Sequence, residues 1–231
     1  MIKKIFICFF SFLSISAFGE IGFSFGASSL LACNIGTACE EPEINSAVSA
    51  MEDLNCDVRN NPVFGLGALV FLRYNFPKLS FLGIQADFSF ISHNGFVYSI
   101  DTGDLTMRYE YTYKSLELAP LVTYDVNFGK VYFTFVTGPN FSIPLEGVTY
   151  SYKVYGEEKT DFNLDTKFVP GLTGGMTVGT FIDNIEIFFL TRYTFDFMPV
   201  EYLIDGKSVN LLTRRCLTAG FGVQYVLGPK K

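Results

Sequence analysis

Residues 62–90 read PVFGLGALVFLRYNFPKLSFLGIQADFSF and contain two segments that alternate with a period of two. In residues 62–76 every second position, starting at Phe64, is apolar, and residues 81–90 repeat the pattern from Leu82. The positions between them are mostly glycine, polar or charged, and only the four residues PKLS join the two segments. A period of two with one apolar face predicts two antiparallel strands joined by a tight turn.

The apolar face of these strands would meet either a protein core or lipid, because soluble β-sandwiches and membrane barrels both alternate in this way. The exposed face of a soluble sheet normally carries Lys and Glu. Beyond the first twenty residues, lysine falls at turns, in loop-like stretches or at the C-terminus, and Lys114 alone lies near the entrance of a strand. The polar face is instead Gly, Ser, Thr and Gln with occasional charges, which suits the interior of a narrow barrel. We therefore predict that the apolar face contacts lipid, with a soluble all-β domain as the alternative.

The N-terminus has the pattern of a secretory signal peptide. Lys3 and Lys4 precede an apolar run at residues 5–15, and small residues at Ala17 and Gly19 predict cleavage after Gly19. The mature chain keeps 15 of the 17 Lys and Arg residues against 23 Asp and Glu, a formal net charge of −8. Such an acidic, exported chain is not expected to bind nucleic acid. A lipoprotein signal that would end at Cys33 is the alternative processing site, but it lies outside the apolar run and is therefore disfavoured.

The rest of the chain, residues 20–231, predicts one domain of eight strands. The strands are expected at about residues 21–31, 62–76, 81–90, 109–126, 131–135, 168–180, 185–197 and 213–227. The connections alternate in length, and the long ones cover about residues 32–61, 92–106, 145–167 and 198–212. This asymmetry predicts an all-β, antiparallel up-and-down transmembrane barrel with long extracellular loops and short periplasmic turns.

The alternation places nine polar or charged residues on the inner face of this barrel. They are Arg73, Gln85, Asp87, Glu117, Glu186, Arg192, Asp196, Arg214 and Gln224. Buried charges need partners, so we expect opposite signs to form a charge network across the lumen. Breaking such pairs would open a water path in a gated pore. However, side chains can fill an eight-stranded barrel, and we favour a plugged interior.

Enzymatic and metal-binding functions have little support in the sequence. A hydrolase needs a His beside a nucleophile or an acid, and His93 is the only His, in a segment predicted as a solvated loop. The acidic cluster of Glu40, Glu41 and Glu43 is more simply explained as a solvated segment. We predict no catalytic residue, no metal and no cofactor, and keep an outer-membrane hydrolase as the third choice of function.

Four cysteines remain after the signal peptide, and an oxidising compartment favours disulfides. The first and last strands must be adjacent for the barrel to close, and Cys33 and Cys216 then lie at about the same level. We predict Cys33–Cys216 and Cys39–Cys56. The alternation places Cys216 on the inner face and Cys33 on the outer face, so a local pairing within the first loop remains the alternative.

Several segments resemble the small outer membrane β-barrel family related to OmpA and OmpX. They are YKSLELAPL at residues 113–121, KVYF at 130–133, TGP at 137–139 and GFGVQYVL at 220–227. The last strand also looks like a barrel-assembly signal, with Gly222, Tyr225 and Leu227 in the glycine, aromatic and hydrophobic places. Gly220 in place of a polar residue and the extension at residues 228–231 depart from that signal. The resemblance implies an outer-membrane location, contact with membrane lipid and insertion by the barrel assembly machinery.

The predicted function is therefore that of a monomeric outer-membrane barrel with a structural or surface-interaction role. The long loops contain tyrosines, a residue type enriched at protein contact surfaces: Tyr98, Tyr150, Tyr152, Tyr155 and Tyr202. They favour an extracellular ligand bound through the loops, in the manner of an adhesin. A narrow porin-like channel for small solutes is the second choice.

Overall fold

The computed structural model describes the backbone of residues 22–34, 57–61, 64–101, 106–145, 148–153, 157–162, 168–204 and 207–227. The strands in this part of the chain, in order, are β1 (Gly22–Asn34), β2 (Asp57–Asn61), β3 (Phe64–Asn75), β4 (Leu82–Asp101), β5 (Thr106–Phe128), β6 (Val131–Pro144), β7 (Val148–Lys153), β8 (Glu157–Phe162), β9 (Val169–Ile182), β10 (Ile185–Asp196), β11 (Val200–Ile204), β12 (Lys207–Leu212) and β13 (Arg215–Leu227). Across these ranges, no helix has the length and apolar character needed to cross a membrane.

Eight of these strands close into an antiparallel barrel. Their order around the ring is β1, β3, β4, β5, β6, β9, β10 and β13, and the first and last strands pair from Phe23–Leu227 to Asn34–Cys216. Closure gives each strand a neighbour on both sides, so the wall has no free edge. In this ring β4 lies opposite β10, and β5 lies opposite β13. The predicted all-β, eight-stranded antiparallel barrel is confirmed.

Short turns join barrel strands at one end, which we call the turn end; the other is the loop end. Gly129 has φ 69° in the turn between β5 and β6, and Asp183 has φ 58° in the turn between β9 and β10. Glycine adopts such left-handed values without a Cβ clash, and Asp tolerates them better than most residues. The turns predicted at these two positions are confirmed.

Apolar side chains cover the outer surface of the barrel. Leu66 on β3 is 70% exposed and Phe221 on β13 is 68% exposed, and Ile84 and Val122 are exposed on strands between them. A soluble protein would place all this apolar surface in water, which folded domains avoid. With lipid outside, the same arrangement is the one expected of a membrane barrel. The structure therefore supports the lipid-facing interpretation over the soluble alternative.

The interior is less uniformly polar than the sequence analysis predicts. An apolar cluster comes from β10, β13, β1, β3 and β4, which are contiguous in the ring: Leu30, Ala32, Leu69, Phe71, Ile91, Phe188, Leu190 and Cys216. The ring centroids of Phe71 and Phe188 are 5.8 Å apart. One wall of the interior is thus packed with large apolar side chains, and a second, smaller apolar cluster of Ala119, Leu121 and Val136 lies on β5 and β6 beside the charged groups.

The segments predicted as loops contain strands, so that part of the prediction is wrong. At residues 92–106, β4 continues to Asp101 and β5 begins at Thr106. β2 pairs with β4, β7 with β5 and β8 with β7, which makes a five-stranded extension of the wall at the loop end. β11 and β12 form a separate hairpin. Beyond the lipid, a strand needs main-chain pairing but no apolar face, and the sequence pattern therefore does not mark it.

Candidate functional site

The candidate site is the charged interior of the barrel, because groups with buried charge are where function or conformational specificity concentrates. Its side chains form three layers, which we name by their position along the barrel. A turn-side layer surrounds Arg73 of β3, a middle layer surrounds Arg192 of β10, and a loop-side layer surrounds Arg214, just before β13. Period-two alternation turns each of these arginines inward, and all three are buried.

The turn-side layer is a closed network of four residues. Arg73 forms an ion pair with Asp125 of β5, and it donates from Nε to Asn75 Oδ1 at 2.8 Å and from NH1 to Thr134 Oγ1 at 3.1 Å. The carboxylate of Asp125 also accepts from Asn75 Nδ2 at 2.8 Å and from Thr134 Oγ1 at 2.7 Å. Each member has a partner on another strand, so this network ties β3, β5 and β6 together.

The middle layer crosses the full width of the barrel. Arg192 NH2 on β10 lies 3.1 Å from Asp87 Oδ2 on β4, the strand opposite it in the ring. Gln85 Nε2 donates to the other carboxylate oxygen of Asp87. Nε and NH1 of Arg192 are buried and have no hydrogen-bond partner among the described residues. The guanidinium is thus only partly satisfied, which is uncommon for a buried charged group.

The loop-side layer places one arginine between two carboxylates. Arg214 donates from Nε and NH2 to the two oxygens of Asp196, each at 2.8 Å, and from NH1 to the carboxylate of Glu117 on the opposite wall. His93 Nε2 lies 3.3 Å from Arg214 NH1, 2.8 Å from Ser115 Oγ and 3.5 Å from Glu117 Oε1. All five side chains are buried. The bidentate contact with Asp196 joins neighbouring strands, and the contact with Glu117 joins opposite walls, so Arg214 links both through charge-assisted hydrogen bonds.

The structure buries all nine residues that the alternation assigns to the inner face: Arg73, Gln85, Asp87, Glu117, Glu186, Arg192, Asp196, Arg214 and Gln224. It brings Arg192 together with Asp87, and Arg214 together with Glu117 and Asp196. Glu186 lies within electrostatic range of Arg73, but the ion pair of Arg73 is with Asp125.

Five members of these layers are absent from the nine predicted residues: Asn75, Asp125, Thr134, His93 and Ser115. Asp125 lies an even number of residues from Glu117 on β5, so the alternation alone places it on the inner face. His93 is wrongly predicted as a solvated loop residue; it lies on β4, is fully buried and stacks on Tyr113 with ring centroids 4.6 Å apart. Its parity matches that of Asp87, but the surrounding sequence SHNG reads as a turn. Ser115 has the same inward parity on β5.

A small cavity lies between the middle and loop-side layers. Its volume is about 30 Å³, and its lining includes Asp87, Arg192, Glu117, Arg214 and Asn140. Like two of the Arg192 nitrogens, Asn140 Nδ2 is buried without a partner in the described part of the chain. Such a volume holds one or two waters or a head group of similar size.

The predicted disulfide between Cys33 and Cys216 is not formed, and both residues are free thiols. The register pairs Cys33 with Leu217 and Asn34 with Cys216, so the two cysteines are offset by one residue. Because side chains alternate across a strand, the offset directs the two thiols to opposite sides of the wall. Cys39 and Cys56 lie outside the described residues, and their pairing stays a prediction.

The remaining predicted sites have no tested role. Gly222, Tyr225 and Leu227 lie in β13, where the Tyr225 ring is 5.7 Å from that of Phe25 on β1. Their part in barrel assembly stays a prediction. The signal peptide at residues 1–19 and the acidic cluster at residues 40–43 lie outside the described residues. Among those that are described, no group of three or more His, Cys, Asp or Glu is placed to hold a metal ion.

Solved structures similar to this chain are bacterial surface barrels of low sequence identity. Neisserial surface protein A (NspA) has 14% identity and a TM-score of 0.46, over 88% of this chain and 96% of NspA. OprG from Pseudomonas aeruginosa has 11% identity and a TM-score of 0.47, over 90% of this chain and 98% of OprG. Ail of Yersinia pestis has 10% identity and a TM-score of 0.45, over 90% of this chain and 99% of Ail.

Sequence comparison identifies the family. No curated protein matches the chain significantly. The model of the outer membrane protein beta-barrel domain matches residues 14–201, which is most of the chain. The apolar outer surface, the closed ring of eight strands and the charged interior agree with that match. The chain belongs to the outer membrane β-barrel domain family and is an integral protein of the bacterial outer membrane.

Proposed function

We propose that this protein is a closed outer-membrane barrel that presents a tyrosine-rich sheet to the cell exterior, where the sheet binds a macromolecular surface ligand. The observation that carries the proposal is the register of the five-stranded extension at the loop end. The long-loop end of outer-membrane barrels faces outward from the cell, so this sheet is the part of the molecule that meets extracellular partners.

The register aligns tyrosines across three neighbouring strands. Tyr98 of β4 pairs with Tyr109 of β5, which pairs with Tyr152 of β7, and two residues further along Tyr111 pairs with Tyr150. Directly paired positions, and positions two apart on one strand, belong to the same side of a sheet. Five tyrosine positions therefore share one side, and tyrosine is among the residues most enriched at protein contacts.

In the same register, the positions that alternate with the tyrosine positions include charged residues. The pair next to Tyr109 and Tyr152 is Arg108–Lys153, and Lys159 of β8 belongs to the same set of positions. Charged positions on one side keep an exposed sheet soluble and oppose edge-to-edge aggregation. The division into an aromatic and a charged side supports a binding surface with a defined orientation.

The interior supports an anchoring role for the barrel and argues against the narrow channel. Ion pairs in the middle and loop-side layers join opposite walls, Arg192 with Asp87 and Arg214 with Glu117. Together with the apolar cluster, these side chains occupy the width of the lumen, as expected in a ring of eight strands.

The proposed role includes no catalytic step. His93 Nε2 and Ser115 Oγ are 2.8 Å apart, a distance that a serine nucleophile and its base also adopt. However, both side chains are fully buried, so a substrate has no approach to Ser115. Glu117 approaches Nε2, whereas in a triad the acid orients the base through the other nitrogen, and Nδ1 of His93 has no partner in the described residues.

The remaining expected partners follow from the same anchoring role. We infer that the apolar outer surface contacts outer-membrane lipid. We also infer that the barrel assembly machinery recognises β13 through Gly222, Tyr225 and Leu227. The closed ring leaves no strand edge in the lipid-facing wall, so the edges of this sheet are confined to β2 and β8 of the loop-end extension, which supports a monomer within the membrane. The acidic net charge argues against nucleic acid as a partner.

The binding proposal is tested with two matched double variants of the full chain displayed on cells. Binding is measured to wells coated with laminin or with fibronectin. Tyr109→Ser with Tyr152→Ser should lower binding about tenfold, because aromatic anchors supply most of the energy of such contacts. Arg108→Ser with Lys153→Ser changes the adjacent pair on the charged side and should leave binding nearly unchanged. The proposal fails if cells with the protein bind no better than cells without it, or if the two double variants lose binding equally.

A further inference from the structure

The wall between β5 and β6 has a gap in its hydrogen-bond ladder. Pairing is present at Leu118–Phe141, is absent for the next three positions, and resumes at Val122–Thr137 in the same register. In the other interfaces of the barrel the described pairing has no gap, apart from the bulge between Asn94 and Val97. The gap is therefore a local feature of one seam.

Two prolines explain this gap. In the continued register Pro120 of β5 lies opposite Pro139 of β6. Antiparallel pairs alternate between those that exchange two hydrogen bonds and those that exchange none. Leu145 N donates to Lys114 O at 2.9 Å, so Lys114–Leu145 is a hydrogen-bonded pair of this register. Hydrogen-bonded pairs recur at every second residue, and Pro120 is six residues after Lys114. The proline pair is thus one that should exchange two bonds, and neither residue has an N–H to donate.

The gap lies in the part of the wall that faces lipid. Pro120 and Pro139 are exposed on the outer surface, and Pro120 lies between Leu118 and Val122, which are also exposed. Proline is normally confined to edge strands, because a central strand needs its N–H groups. In hydrocarbon no water replaces the missing donors. This seam is accordingly the place where β5 and β6 separate with the fewest bonds to break.

Behind the gap lies the cavity between the middle and loop-side layers. Ala119 and Asn140, the inward neighbours of the two prolines, are buried and line it. The polar atoms there without partners among the described residues are Arg192 Nε, Arg192 NH1 and Asn140 Nδ2, and all three are donors. The carboxylates of Asp87 and Glu117 also line the cavity, but each is already bound by an arginine.

We propose that this seam is a lateral access site for a fatty acid from the membrane, with the hydrocarbon chain between β5 and β6 and the carboxylate bound by Arg192 and Asn140. A carboxylate accepts hydrogen bonds through both oxygens and donates none, which matches a set of free donors. The cavity has room for a group of two oxygens. The exposed prolines place the weakened part of the seam against lipid, from which a single apolar chain would enter.

Tryptophan fluorescence provides a direct test, because the chain has no Trp of its own. Leu118→Trp places a reporter beside the seam, and Phe221→Trp places a matched reporter on β13, on the opposite wall. Each full-length mature protein is refolded into phosphatidylcholine vesicles and titrated with dibrominated stearic acid as the quencher. We expect a saturable component of quenching at position 118 only. Equal, non-saturating quenching at both positions means simple partitioning of the fatty acid into lipid and overturns the proposal.

Variants of the seam and of the head-group site separate the two parts of the proposal. In the Leu118→Trp background, Pro120→Ala with Pro139→Ala restores two N–H donors and should abolish the saturable component, whereas Pro170→Ala on β9 should not. Asn140→Leu removes one donor at similar volume and should weaken binding about tenfold. Folding of each variant is checked by the heat-dependent shift of the barrel on gels. Unchanged binding after closing the seam overturns the access route, and equal binding of a brominated fatty alcohol overturns the carboxylate site.

Discussion

Arg214 holds two buried carboxylates at the loop end of the barrel. Its side chain is 1% exposed, and it contacts Asp196 on the neighbouring strand and Glu117 on the opposite wall. Neither acid has another arginine within bonding distance in the described residues. Removing Arg214 would leave two negative charges together in a space with little water, which costs more than the loss of an exposed ion pair.

We therefore predict that Arg214→Met lowers the free energy of unfolding by about 3–5 kcal/mol. The adjacent Arg215 is the matched control: it is exposed, and its guanidinium lies 5.6 Å from the centroid of the Phe195 ring. Arg215→Met should cost no more than about 1 kcal/mol. Urea unfolding of both variants in lipid vesicles measures the difference. Similar losses in the two variants would contradict the assignment of Arg214 as the buried partner of two acids.

The alternation of side chains along a strand predicts which residues face the lumen, but it does not predict which of them form ion pairs. Period two places Arg73 and Glu186 on the inner face correctly. The partner of Arg73 nevertheless proves to be Asp125, because the tilt and stagger of the strands decide which inward residues share a level. That stagger is a property of the closed ring and is not encoded in any single strand.

At the scale of the element, the turn between β5 and β6 depends on the backbone conformation of one residue. Gly129 has φ 69°, and a Cβ built there would meet no atom within 4 Å. The cost of a substitution is thus confined to the left-handed conformation and includes no clash. Gly129→Ala should reduce stability by roughly 1–2 kcal/mol, and Gly129→Asn by less, because Asn tolerates this region.

The control for this turn is Lys130→Ala, since Lys130 is exposed and directly follows Gly129. It should change stability by less than about 0.5 kcal/mol. Denaturant unfolding of the three variants gives the comparison. A loss for Gly129→Asn as large as that for Gly129→Ala would show that the turn requires the absence of a side chain and not merely a positive φ.

The sequence predicts elements well where lipid constrains them and poorly where it does not. All eight barrel strands are anticipated, because a wall with lipid on one side must alternate. The strands at the loop end are not predicted from the sequence. Residues 92–101 of β4 and the hairpin of β7 and β8 show no alternating apolar face, because no membrane imposes one there. Their pairing follows instead from the continuation of neighbouring strands, which becomes visible only in three dimensions.

At the scale of the whole molecule, three charged layers and two apolar clusters line the interior of the barrel. The middle layer joins opposite walls through Arg192 and Asp87, and the turn-side layer joins nearer strands through Arg73 and Asp125. If these contacts close the lumen, the native protein should not conduct ions. Removing both arginines should admit water, because the acids left behind would be hydrated in preference to remaining buried without partners.

We predict that the refolded mature chain gives no discrete openings in a planar bilayer, and that Arg73→Ala with Arg192→Ala gives small openings selective for cations. The selectivity follows from the acids that remain on the inner face, Asp87, Asp125 and Glu186, since rings of carboxylates favour cations. Lys78→Ala with Lys130→Ala removes the same charge at the turns and should stay silent. Openings by the unchanged protein would make the lumen a pore and transport its leading function. Silence of the double arginine variant, with the barrel shown to be folded, would mean that packing and not ion pairing closes the barrel.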